Sequence, residues 1–207
     1  DENHLPPDNF QERPTPVVAH RSSPTNFGLY LLSCVAARDF GWLGLGDLAA
    51  RIAQTMDTLD RLPRFNGHFL NWYDTRTLLP LEPRYVSTVD SGNLAGHLLA
   101  VSAGLDGFVS APLWTPATQL GPADSLRSCL DALTNMQAAP TDDVVSVDEL
   151  REALQTLLRR LEARPASLAQ AVLELRAMTV DAIRIEDLAE AFAAGGSDDR
   201  TAVFDCA

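Results

Sequence analysis

The sequence predicts an all-α protein of stacked α/α hairpins, arranged as part of a layered helical toroid. Three observations predict it. Helices apolar on every side alternate with helices apolar on one face, capping signals and loops separate them, and no β-strand of convincing length interrupts the series. The alternation carries most weight, because an inner helix touches two neighbours and an outer layer, whereas an outer helix buries one stripe.

Residues 1–19 are rich in Pro and polar side chains without a sustained period, which predicts an extended N-terminal arm whose order depends on its neighbours. Residues 20–140 hold the alternating hairpins and the polar motifs. The first helix starts at Ser23-Pro24, with Ser23 as cap and Pro24 in the first turn, and stops near Asp39, before Gly41. Phe27, Leu29, Tyr30, Leu31, Leu32, Cys34, Val35, Ala36 and Ala37 leave it almost no polar face, the mark of an internal helix. The second helix follows Gly46 with Asp47 as its expected cap and shows one stripe, Leu48, Ile52, Met56 and Leu59. A long loop from about Pro63 to Asp90 leads to a third helix, opened by Ser91-Gly92-Asn93, apolar again, and ended by Gly104. Gly92 and Gly96 on it would admit a close backbone neighbour. A fourth, from about Ala123 to Gln137, is one-faced through Leu126, Leu130 and Leu133.

Residues 141–207 read as an amphipathic helical extension of three helices. Ser146 and Glu149 form a capping box ahead of Leu150, Leu154, Leu157, Leu158 and Leu161, and Arg164-Pro165 breaks that helix. Leu168, Val172 and Leu175 carry the next, and Ile185, Leu188 and Phe192 the last, ending at Gly195-Gly196.

At 207 residues and 46% hydrophobic, the chain can bury a substantial core. Its net charge of -12 repels phosphate backbones and anionic lipid, so nucleic acid is excluded as a partner, while neutral carbohydrate is not. No apolar run approaches the roughly 20 residues that span a bilayer, and the first residues have no signal-peptide pattern, so this segment is expected to be soluble and not inserted in a membrane. Cys34, Cys129 and Cys206 are far apart and odd in number, which fits buried or free thiols in a reducing, cytosolic setting. The start without Met and the plain ending fit a piece cut from a longer chain.

Three polar clusters lie in loops or at the starts of apolar helices. The first is His20-Arg21-Ser22-Ser23-Pro24-Thr25-Asn26; capping accounts for Ser23 and Thr25 but not for Arg21 and Asn26. In the second, Gly67 to Thr75, the rings of Trp72 and Tyr73 sit between Asn71 and Asp74. Carbohydrate sites need that mixture, since a pyranose offers apolar C–H faces to rings and hydroxyls to planar amide and carboxylate groups. The third, Tyr85 to Asn93, contributes Asp90 and Asn93 at a helix start, where Asp90 also serves as a cap. Cys/His metal spacing, a phosphate loop and a nucleophile elbow are absent from the sequence, so no metal or cofactor is expected. His20, His68 and His97 read as structural. Asp74 and Asp90, with Glu82 as a spare, are the carboxylates placed to act as a glycosidase pair.

The segments Pro16 to Leu29, Ala36 to Gly41, Gly67 to Thr75 and Ser87 to Leu98, in that order and spacing, resemble the cyclic β-1,2-glucan synthases. The likeness is clear from about Arg13 to Leu105. Members of that family are large inner-membrane proteins of Gram-negative bacteria, and the resemblance places this chain at the start of their middle, glycoamylase-like transglycosylation domain, on the cytoplasmic face. It implies an α/α toroid of six hairpins that cyclises linear β-1,2-glucan by a retaining mechanism. The catalytic glutamates it implies lie downstream, so no catalytic residue is carried over. Arg21, Asn26, Asn71, Trp72, Tyr73, Asp74, Asp90 and Asn93 become substrate-binding candidates, with β-1,2-glucan and the rest of the parent polypeptide as partners. An incomplete toroid uncovers its inner helices, which predicts self-association through that face or rearrangement of the helices. Two rival readings stand beside this one. In the first, a non-catalytic scaffold or interaction module, the same residues are separate caps and core contacts; in the second, a small glycosidase, Asp74 and Asp90 are the acid/base pair.

Overall fold

The computed structural model describes residues 2–112, 116–135, 146–163 and 165–193. Contacts divide the chain into two units, Asp1–Trp114 and Thr115–Ala207. The fourth helix groups with the C-terminal helices.

The N-terminal unit begins with three two-residue strands, β1 (Phe10–Gln11), β2 (Val17–Val18) and β3 (Arg21–Ser22). The arm is held down rather than loose. Leu5 lies in the core, the Asn3 amide donates to the carbonyls of Thr75 (2.8 Å) and Arg76 (3.1 Å), and β1 pairs antiparallel with β2.

Helix α1 (Pro24–Asp39) starts and ends as the sequence predicts: Ser23 is extended and its Oγ accepts from the Asn26 N–H at 3.4 Å. Beyond its end, Gly41 takes φ +80°, the left-handed conformation that glycine supplies without strain. Helix α2 (Leu45–Arg61) starts earlier than expected. Gly44 is its N-cap and makes no side-chain bond; Asp47 sits inside the first turn, where its carboxylate favours the helix dipole instead of capping. Its buried stripe also differs, taking Leu48, Thr55, Thr58 and Leu59 and leaving Met56 exposed. The two threonines are buried because their hydroxyls donate to the arm, Thr55 to the His4 carbonyl (3.1 Å) and Thr58 to that of Asn3 (2.8 Å).

The stretch read as a loop contains β4 (Arg64–Phe65), β5 (His68–Phe69) and β6 (Tyr73–Asp74). β4 and β5 form a hairpin turned by Asn66 (φ +49°) and Gly67 (φ +84°), and β6 pairs antiparallel with β3. Helix α3 (Thr88–Ser110) opens three residues before the expected site, because the Ser87 Oγ accepts from the Asp90 N–H at 3.1 Å. It also runs through Gly104. A Cβ placed there would lie 2.8 Å from Val35 Cγ1, so this glycine permits close packing and does not end the helix.

Gly28 meets His97 and, seven residues on in each helix, Val35 meets Gly104, so α1 and α3 run parallel. Leu59 shares a cluster with Phe27, and Ile52 packs against the cluster of Leu31 and Val35, so α2 runs antiparallel to α1. The expected complete enclosure of α3 is corrected. It buries Leu94 and Val101 but exposes Val89, Leu99 and Val109, and neither Gly92 nor Gly96 has a neighbour within contact distance.

The C-terminal unit contains α4 (Pro116–Asn135), α5 (Val147–Glu162) and α6 (Leu168–Ala193). Ser146 caps α5, accepting from the Glu149 N–H at 3.1 Å. Leu150, Leu154, Leu157 and Leu161 then meet Leu126, Cys129 and Leu133 of α4 and Ile185 and Phe192 of α6. α4 begins seven residues before the expected start and carries Pro122 within it, while its expected end at Gln137 lies outside the described residues. The two last helices are one. α6 is continuous over 26 residues, tied to α5 by Arg160, which reaches Asp181 at 2.7 Å and Glu174 at 3.1 Å. The expected stop at Gly195-Gly196 lies outside the described residues. Cys34 and Cys129 are buried, and burial pushes the Cys34 thiol up.

Candidate functional site

A connected group of polar side chains gathers at the N-terminal ends of the parallel helices α1 and α3. Strand β3 aims Arg21 so that its guanidinium carbon lies 4.9 Å from the centre of the Trp72 ring, a cation–π contact. Arg21 Nε and Nη2 donate to Asp8 Oδ2 at 3.2 and 3.0 Å. The other oxygen of Asp8 accepts from the Asn26 amide at 3.3 Å. One residue back on α1, the Thr25 hydroxyl donates to Asp90 Oδ1 at 2.5 Å and accepts from the Asn93 amide at 3.1 Å. Trp72, Arg21, Asp8, Asn26, Thr25, Asp90 and Asn93 thus form one series. Asp8 was missed from the sequence because it lies in the unpatterned arm, and its role follows from the arm folding back over β3 and α1.

Five predicted residues, Arg21, Asn26, Trp72, Asp90 and Asn93, therefore meet; the other three do not join them through side-chain bonds. Tyr73 is fully buried, donates its hydroxyl to the Pro63 carbonyl (2.7 Å), accepts from the Leu70 N–H (2.7 Å), and packs its ring against Phe27 and Phe69. It is a core residue with no face open to a ligand, because β6 turns alternate side chains inward. Asn71 is buried, and its N–H donates to the Tyr85 carbonyl at 2.8 Å. Asp74 closes a turn: Oδ1 accepts from the N–H groups of Arg76 (2.9 Å) and Thr77 (3.0 Å), and Oδ2 pairs with the Arg76 guanidinium at 3.1 Å.

Those bonds, the Arg76 side chain first, hold the Asp74 carboxyl down at about 2. A folded-state value below the unfolded one means that the unfolded chain binds more protons in the interval between them. The stability Asp74 contributes is present above its unfolded value and is lost as pH falls through its folded one. Unfolding midpoints should accordingly decline from about pH 4 towards pH 2, and the decline should be shallower in Asp74→Asn when both are followed by denaturant titration. Asp90 is also lowered. Burial of its carboxyl works in the opposite direction and is outweighed by hydrogen bonds from Ser87, Thr25 and Ser23. Both carboxylates are held ionised, whereas a glycosidic general acid needs a raised value. Among the described residues, no group of three or more His, Cys, Asp or Glu is placed to hold a metal ion.

No family model matches the chain. It is 43% identical over 190 residues, 91% of its length, to the cyclic beta-(1,2)-glucan synthase NdvB of Rhizobium meliloti (strain 1021). The chain belongs to the cyclic β-1,2-glucan synthase family. It spans 6% of the length of that curated relative. A match of 190 residues exceeds the N-terminal unit, which ends at Trp114, so the likeness to the glucan synthase extends into the C-terminal helices as well. Among the described residues of this family segment, no helix is long and apolar enough to cross a membrane.

Proposed function

We propose that the chain is the substrate-binding part of the domain of a cyclic β-1,2-glucan synthase that closes linear β-1,2-glucan into rings by retaining transglycosylation. The observation that carries this is the continuous series from Trp72 to Asn93 at one end of two parallel helices. It combines a partly exposed indole, two amides and a hydroxyl with an Arg21 charge balanced by Asp8 and an Asp90 carboxylate held by hydroxyl groups. A neutral polyol finds stacking surface and hydrogen-bond partners there. On this reading the parallel α1 and α3, with α2 antiparallel against α1, would form one unit of an α/α toroid, and the exposed side of α3 would receive the next inner helix of the parent. In this reading the nucleophile and acid come from downstream carboxyls, one displacing the leaving glucan at the anomeric carbon and the other protonating it; the free end of the same chain then displaces the enzyme. Asp74 and Asp90, held ionised, position sugar or backbone instead. The domain would work at the cytoplasmic face of the inner membrane, within the larger protein.

A scaffold role is favoured for the C-terminal unit alone, whose leucine core and the Arg160 links to Asp181 and Glu174 account for its conspicuous side chains.

Titration of the chain with linear β-1,2-glucan tests the proposal. Trp72→Ala should bind roughly tenfold more weakly, the equivalent of about 1.4 kcal/mol, with its unfolding midpoint little changed. Unchanged affinity would remove the indole from the site. Release of cyclic or shortened products by this chain alone would show that its catalysts are complete and would overturn the division of labour.

A further inference from the structure

We infer that the cavity between the β4–β5 hairpin and residues 80–86 is a second carbohydrate subsite, which takes a glucosyl unit of a bound glucan. Its volume is about 460 Å³, inside the range of small-ligand sites. Two rings line it, Phe65 and Tyr85, and they are 61% and 51% exposed although nothing in the core requires them there. Exposed rings beside a concavity are what the C–H face of a pyranose stacks on. Leu70 and Val86 extend the apolar wall, and Arg64 and Arg84 supply donors for hydroxyl groups.

The same lining selects a neutral ligand. Each guanidinium already faces a carboxylate, Arg84 that of Glu82 at 2.8 Å and Arg64 that of Asp60 at 3.4 Å. A phosphate would have to compete with those partners, while a hydroxyl needs only one of the remaining N–H groups. Arg64 is further fixed over the Phe69 ring at 4.3 Å and by a bond to the Leu59 carbonyl at 3.2 Å.

The walls are preorganised. The Tyr73 hydroxyl joins Pro63 to Leu70 across the base of the hairpin, and the Asn66-Gly67 turn sets its tip. On the other wall, Tyr85 is bonded through its carbonyl to the Asn71 N–H, and the Leu81 N–H donates to the Trp72 carbonyl at 2.9 Å. The cavity is thus stitched by backbone hydrogen bonds to the segment that carries Trp72. The carbohydrate class follows from the cavity; the choice of β-1,2-glucan rests on the proposed function.

The test is an amide NMR titration of the 207-residue chain with linear β-1,2-glucan, repeated on Trp72→Ala and on Phe65→Ala/Tyr85→Ala, whose rings are exposed in the fold. Shifts are expected at residues 63–70 and 84–86 as well as around Trp72 and Asn93, with the double variant binding roughly tenfold more weakly. Shifts confined to the Trp72 group, with unchanged affinity in the double variant, would overturn the subsite and leave the proposed function standing. Shifts confined to the cavity and retained in Trp72→Ala would uphold the subsite and overturn the Trp72 group as the grip. No shift in either place overturns both, and displacement of the glucan from the cavity by inorganic phosphate overturns the neutral-ligand assignment.

Discussion

Phe27→Ala is expected to lower the unfolding free energy of the N-terminal unit by about 3–5 kcal/mol, the largest effect of any single change considered. Phe27 is fully buried on the inner side of α1 and joins the elements that make the unit: its ring lies 5.9 Å from that of Phe69 on β5 and 6.1 Å from that of Tyr73 on β6. Leu5 from the arm, Leu59 from α2 and Leu94 from α3 complete the same cluster. Truncation leaves a cavity that Phe69 and Tyr73 cannot move to refill, because β5 is paired with β4 and β6 with β3. All three tryptophans of the sequence, Trp42, Trp72 and Trp114, fall within residues 1–114, so fluorescence during denaturant unfolding reports this unit separately from the C-terminal one. A loss under about 1 kcal/mol would show that the Phe27 site collapses without penalty, against the packing described.

Gly28→Ala should cost about 2 kcal/mol net, although alanine is the better helix former by about 1 kcal/mol. A Cβ at position 28 would lie 2.4 Å from His97 Nδ1 and 2.7 Å from His97 Cβ, and the latter atom moves only if α3 moves. Separation of the helices would also draw Thr25 away from Asp90 and Asn93 one turn earlier, so glucan affinity should fall together with stability. Gly96→Ala is the control. Its Cβ meets nothing within 4 Å, and the propensity gain should make it neutral to stabilising by up to about 1 kcal/mol. A stabilised Gly28→Ala would mean that α1 and α3 are not in close contact.

The two helices show how far the sequence could be read. Ser23 and Pro24 carry a start signal made of adjacent residues, and α1 begins there. Gly104 carries an ambiguous one, since a glycine after an apolar run serves equally as a helix end or as a place for another backbone to approach. Which it is depends on Val35, 69 positions earlier in the chain. The binding candidates divide along the same line. Trp72 and Tyr73 are indistinguishable as a ring pair in sequence, yet the fold puts Trp72, just before β6, beside Arg21 and Tyr73, in β6, beside Phe27.

Local chemistry written along the chain therefore determined the helical class, the caps at Ser23 and Ser146, the leucine stripe of α5, the polar clusters and the family. Only the tertiary structure decided that the arm supplies Asp8 between Arg21 and Asn26, that Tyr73 and Asp74 serve the fold, and that the close helix contact runs through Gly28 and Gly104. The physical reason is range: a cap or a stripe is settled by neighbours within one or two turns, whereas a shared carboxylate or a glycine contact is settled by whichever distant segment the fold brings against it.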